Sequence, residues 1–231
     1  MVCKLSAILI LLVTFFLYPA LGQRRAVDAG YRGDRYSFRE YRPENIDHLN
    51  QLSPRILAKL IAHLKSRLGE QFYYKLNFAW GKKIDLTELY RAEPHWKKEK
   101  VGSYDLTFYF SDRKKGLKAF YSKIVLDADG GVVEEINLPQ IALNPQKAEI
   151  IPLDRAIAVA ERNSFPRKRM SFDFEYNRET DSFEWIISDS QSFEPDNPVP
   201  YAPTGLGTYR NIAIDANSGN VIKVYKKTIL L

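Results

Sequence analysis

Ile124-Val125-Leu126-Asp127-Ala128-Asp129-Gly130-Gly131-Val132-Val133 and Ile212-Ala213-Ile214-Asp215-Ala216-Asn217-Ser218-Gly219-Asn220-Val221 are two versions of one phrase. Each is an apolar run, an Asp-Ala pair, a few small or polar residues, and a second apolar run. That pattern predicts a hairpin, with glycine where a positive φ is required. Asp127, Gly131, Asp215 and Gly219 are read as the turn-formers, with no further role. The two turns lie at a constant offset, since 215 minus 127 is 88. At that offset Tyr121 matches Tyr209, Gly131 matches Gly219 and Val133 matches Val221. Any hairpin can carry Asp and Gly. Matches on the apolar face as well ask for a common architecture.

Working outward, the same elements precede both hairpins. Leu52-Ser53-Pro54 opens a helix, with Ser53 suited to the cap and Pro54 to the first turn. Leu57, Leu60, Ile61, Leu64 and Leu68 follow at helical spacing, and Gly69 can end the helix. Phe72, Tyr74, Leu76, Phe78 and Trp80 then alternate as a strand, as do Tyr104, Leu106, Phe108 and Phe110. In the second half, Pro152 and Asp154 open a helix carrying Leu153, Ala156, Ile157 and Ala160 on one face. Phe172, Phe174 and Tyr176 alternate, then Phe183, Trp185 and Ile187. The expectation is an α+β fold of two tandem modules, residues 51–145 and 146–231. Each would be a helix packed on an antiparallel four-stranded sheet, with Trp80, Phe183 and Trp185 in the cores. The first copy carries an insertion from Gly81 to Ser103, with a short helix near Leu86 to Tyr90. The second carries a long connection from Ser188 to Thr208.

Residues 1–22 read as a signal peptide. Lys4 is a short positive region, Leu5 to Tyr18 is apolar apart from Ser6 and Thr14, and Ala20-Leu21-Gly22 offers a cleavage site before Gln23. The apolar run is shorter than the roughly 18 residues a spanning helix needs. Cys3 precedes the run, where a lipid anchor would need it to follow. Cys3 is also the only cysteine, so the mature chain would have no disulfide, thiolate nucleophile or cysteine-bound zinc. This fits a bacterial periplasm or cell surface. Residues 23–50 are polar and rich in Arg and Tyr, with no sustained period, and read as an extended arm or a disordered lead. The balance of 34 Lys and Arg against 28 Asp and Glu is a mild excess that selects no acidic partner.

The second half resembles PepSY-like domains. The resemblance runs from Ile151-Pro152-Leu153-Asp154-Arg155-Ala156-Ile157 through Ser182-Phe183-Glu184-Trp185-Ile186-Ile187 to the closing hairpin, of the form apolar-Asp-x-x-small-Gly-x-Val. The first half keeps the hairpin but has an atypical insertion. The resemblance implies exported bacterial proteins and propeptides of secreted metallopeptidases, with an inhibitory or chaperone-like role toward proteases proposed for the family. It carries no catalytic residues across.

No chemical motif competes with that reading. His48, His63 and His95 show no metal-binding spacing, and there is no nucleophile elbow, phosphate loop or dinucleotide fingerprint. Asp127-Ala128-Asp129-Gly130 lacks the later carboxylates of a calcium loop. The sequence therefore predicts no catalytic residue, no metal and no cofactor. It predicts a non-enzymatic binding protein whose partner is a protein, a protease among the candidates, with no nucleic acid and no membrane span in the mature chain. A structural or oligomeric envelope component is the alternative, and a hydrolase built on carboxylates comes after it. Candidate contact residues are Phe193 and Tyr201 in the long connection and Trp96 beside the Lys97-Lys98-Glu99-Lys100 cluster. The long connection either offers a contact surface or packs back over its sheet.

Overall fold

The structure is a computed structural model that describes residues 26–30, 33–195 and 206–230, with backbone alone at 190–195, 206–209 and 228–230. The predicted signal peptide and Tyr201 lie outside the described residues. No helix among the described residues is long and apolar enough to cross a membrane.

Helix α1 (Pro54–Leu68) forms where its caps predict. Ser53 accepts a hydrogen bond from the Ile56 N–H at 3.4 Å, and the Gly69 N–H closes the helix on the Lys65 carbonyl with φ 73°. Its buried seam is Ile56, Leu60, Leu64 and Leu68, with Leu57 and Ile61 half-buried beside it. The predicted face is thus rotated slightly. A four-residue turn, α2 (Glu70–Tyr73), follows immediately. It replaces the strand expected from Phe72. Over so few residues an apolar alternation also fits i, i+4 spacing: Phe72 is buried, Leu76 is half-buried, and Tyr74 between them is 71% exposed. Phe72 sits edge-on to Phe110 at 5.1 Å.

Strands β1 (Val27–Gly30), β2 (Glu44–Ile46), β3 (Asn77–Lys83), β4 (Tyr104–Asp112), β5 (Leu117–Leu126) and β6 (Val132–Glu134) form one six-stranded sheet. Its order is β1-β5-β4-β3-β2, with β6 also on β5. All pairings are antiparallel except β1 with β5, which is parallel. The first sheet is therefore larger than the antiparallel four-stranded sheet expected. The difference comes from the arm, which supplies β1 and β2. A bulge between Phe78 and Trp80 keeps Phe78 opposite Phe108 but sets Trp80 opposite Thr107. Trp80 is half-buried and packs on Tyr121 instead of entering the core. In the insertion, helix α3 (Leu86–Ala92) forms as predicted, capped by the Asp85 carboxylate.

The second half runs from helix α4 (Leu153–Arg162) through strands β7 (Met170–Asn177), β8 (Ser182–Pro195), β9 (Leu206–Asp215) and β10 (Val221–Leu230). These strands make an antiparallel meander in the order β10-β9-β8-β7. Phe174, Phe183, Trp185, Ile187, Ile212 and Ile214 are buried beneath α4, and the Trp185 indole donates to the Ile151 carbonyl at 3.1 Å. The expected connection from Ser188 is strand as far as Pro195, and strand resumes at Leu206. One apolar core runs through both halves. Phe110, Phe120, Phe174 and Phe183 meet across the junction, at ring separations of 5.5 to 5.6 Å for the three cross-half pairs.

The two hairpin turns differ by one residue. In the first, Gly130 holds φ 81° and its N–H bonds to the Asp127 carbonyl. In the second, Gly219 holds φ 82° and its N–H bonds to the Asp215 carbonyl. The left-handed glycine thus comes three residues after the Asp in one turn and four after it in the other. Gly130, not Gly131, is the conformational counterpart of Gly219, contrary to the alignment at offset 88. Gly131 is needed for space: a Cβ there would stand 2.6 Å from the Asp127 carboxylate, which holds the N–H groups of Asp129 and Gly131. Both turns rest on the start of a helix, Gly130 on Ile56 and Lys59, Gly219 on Ile151 and Arg155. Gly130→Ser and Gly219→Ser are each expected to lower stability by about 1–2 kcal/mol through backbone strain. Urea denaturation of the purified chain checks this. A neutral Gly130→Ser would contradict the turn geometry.

Candidate functional site

Of the three predicted contact residues, the structure describes the side chain of one. Phe193 falls on β8, where only the backbone is described, and Tyr201 lies outside the described residues. Trp96 sits in the 3-10 turn Pro94–Lys98, half-buried rather than open. Tyr36 and Phe38 of the arm stand edge-on to its indole at 5.8 and 5.2 Å. A second, smaller apolar cluster forms there around Tyr41, Ile84, Leu89 and Val101. The neighbouring basic residues are exposed, as solvated loop charge should be.

Glu93 fastens the arm to this insertion. One carboxylate oxygen accepts the backbone N–H groups of Arg39, Glu40 and Tyr41 at 2.8, 3.0 and 3.1 Å, and the other accepts the Trp96 indole at 3.1 Å. Burial works against the charge of Glu93, but these four donors outweigh it and hold the carboxyl down at about 2. Farther along the arm, Lys82 pairs with Asp34 at 2.9 Å and Arg35 pairs with Glu134. Lys123 donates to the Gly33 carbonyl at 2.7 Å and lies 3.6 Å from Asp105, both almost wholly buried. Burial pushes the Asp105 carboxyl up and the Lys123 ammonium down, each against the pull of the other. The pair joins β4 to β5, and the Lys123 ammonium ties the arm to them through the Gly33 carbonyl.

Polar contacts also surround the junction of the halves. Within the first half, His63 on α1 lies 3.0 Å from Glu135, and Arg67 donates to the Leu138 carbonyl at 2.6 Å. His63 therefore has a structural partner. Arg67 also reaches Tyr176, whose hydroxyl donates to Asp181 at 2.8 Å, and Asp181 accepts from Lys147 and from the Gln140 N–H. Burial and the bond to Asp181 push the Tyr176 phenol up to about 12. These contacts hold the linker 136–149 between α1 and the turn that joins β7 to β8.

Where the linker passes the end of α1 it leaves a groove of about 610 Å³. One wall is the turn Gly69–Lys75, the other the linker 141–149. The Ala142 N–H bonds to the Arg67 carbonyl, which sets their spacing. Buried Leu68, Phe72 and Ile141 back the groove, while Glu70, Lys75 and Glu149 form an exposed polar rim. The chain segments that form the walls also carry the most exposed large apolar side chains among the described residues, Tyr74 at 71% and Leu143 at 81%, beside the groove rather than lining it. An apolar floor inside a charged rim suits a protein segment better than a small polar substrate. The sequence reading passed over both segments, one as a strand and the other as a linker.

Among the described residues no three His, Cys, Asp or Glu side chains stand close enough to hold a metal ion. No family model, no curated protein and no solved structure matches the chain. The PepSY-like resemblance therefore rests on the residues quoted for it.

The Glu93 contacts predict a pH-dependent arm. A carboxyl held below its ordinary value stabilises the fold fully above about pH 4.5, and that stabilisation is lost as pH falls toward 2. Tryptophan emission is expected to shift red over that interval as Trp96 is uncovered, and not to shift in Trp96→Phe. Glu93→Ala should show the shifted emission already at pH 7. A wild-type transition centred near the ordinary glutamate value would contradict the account.

Proposed function

We propose that the chain is an exported, non-enzymatic binding protein built from two tandem PepSY-like modules. The groove at the end of α1 is its contact surface. Export rests on the N-terminal sequence. The duplication is supported by the order of elements, since a helix followed by a four-strand meander occurs in each half. It is supported again by the placement of both closing turns on the start of a helix. The six-stranded first sheet is then a module enlarged by its arm.

The observation that carries the binding reading is the groove's apolar floor of Leu68, Phe72 and Ile141 inside a charged rim. Tyr74 and Leu143, exposed on the two flanking segments, extend the apolar surface that a partner seated in the groove would cover. A protein partner is the reading favoured here, and a protease of the cell envelope is the specific candidate.

Cross-linking and affinity capture from an envelope extract tests the reading, using the wild-type chain beside Tyr74→Ser/Leu143→Asp. The expected result is a defined protein recovered by the wild type and lost with the double variant. Recovery of the chain's own oligomers instead would favour the structural envelope component. The same partners recovered by both proteins would remove the groove from the account.

A further inference from the structure

Strand β10 ends its sheet. Among the described residues nothing pairs with its outer edge, whereas β7 at the opposite edge runs beside β1. Its apolar side chains are uncovered as well: Val221 and Ile222 are 39% exposed and Val224 is 45% exposed. Val224 lies opposite Ile212, which is fully buried, so the cover given by α4 stops one strand short of β10. Helix α4 is only ten residues long and leaves the edge strand open.

An open, partly apolar edge invites another strand. The charges say which kind. From Val221 to Lys227 the strand holds Lys223, Lys226 and Lys227 and no acidic residue. Lys223 stands 5.0 Å over the Tyr225 ring on the face away from α4. Pairing with a second copy would set six lysines on two adjacent strands, so like charge opposes it. The complement is an extended segment with apolar residues on the face that meets Val224 and acidic residues on the face that meets Lys223 and Lys227.

We infer that β10 is a strand-addition site for an acidic, extended segment of another protein. Backbone hydrogen bonds along Val221 to Lys227 provide the pairing, and the lysines select the partner's charge. This surface stands apart from the groove beside α1 and does not depend on it.

The probe is a fluorescein-labelled ten-residue peptide of alternating valine and glutamate, read by anisotropy against the purified protein. Saturable binding is expected. N-methylation of alternate residues, which removes the pairing N–H groups, should weaken it at least about tenfold, as should Lys223→Glu/Lys227→Glu. Tyr74→Ser/Leu143→Asp should bind the peptide as the wild type does. Circular dichroism and urea midpoints show whether each variant keeps its fold. Three results would overturn the inference. One is no saturation up to about 1 mM peptide. Another is equal binding of the N-methylated peptide, which would mean charge without pairing. The last is a concentration-dependent dimer in sedimentation that Val224→Pro abolishes, which would give the edge to a second copy.

Discussion

Phe120 on β5 packs against Phe174 on β7 and Phe183 on β8, and Phe110 on β4 reaches the same Phe183. These four rings come from two halves of the chain, and the rest of the structure depends on their meeting. Burying one phenylalanine is worth about 1.5–3 kcal/mol, and a well-placed ring pair adds about 0.5–1.5. Four rings with three cross-half pairings therefore bring a term of the same order as the whole stability of a domain, about 5–15 kcal/mol. Neither half could expose that surface to water without losing much of what holds it folded. The halves are alike in order of elements but do not stand as separate bodies.

The polar contacts around the junction act on position. Asp181 gathers Tyr176, Lys147 and the Gln140 backbone, and Arg67 ties α1 to the linker. Burial opposes the charge of Asp181, yet its three partners hold the carboxyl below the usual range. Groups so arranged resist small displacements because one displacement breaks several hydrogen bonds at once. The groove inherits this rigidity, since its wall is the same linker. The arm is held differently, by Glu93 and the ring cluster at one end and by β1 and β2 pairing at the others.

Much of this was legible in the sequence where the determinants are local. Ser53, Pro54 and Gly69 mark the ends of α1 within one continuous stretch. The alternations Phe172-Phe174-Tyr176 and Phe183-Trp185-Ile187 are strands as read. The misreadings share a cause. The arm's strands are three or four residues long and pair with partners far along the chain, so no local period could show them. Trp80 left the core because one bulged residue reverses a face. The positive φ moved from Gly131 to Gly130 because the first turn is one residue shorter, which an alignment anchored on Asp127 and Asp215 hides. Trp96 beside lysines looked open, but Tyr36 and Phe38 cover it. The groove joins Gly69–Lys75 to residues 141–149, a juxtaposition created by folding alone.

The central claim is that the two halves share one core and so form one cooperative unit. Differential scanning calorimetry of the whole chain tests it most directly. The account predicts a single transition whose calorimetric enthalpy equals its van't Hoff enthalpy. Two resolved transitions, or a calorimetric enthalpy near twice the van't Hoff value, would show that the halves melt independently and would contradict it.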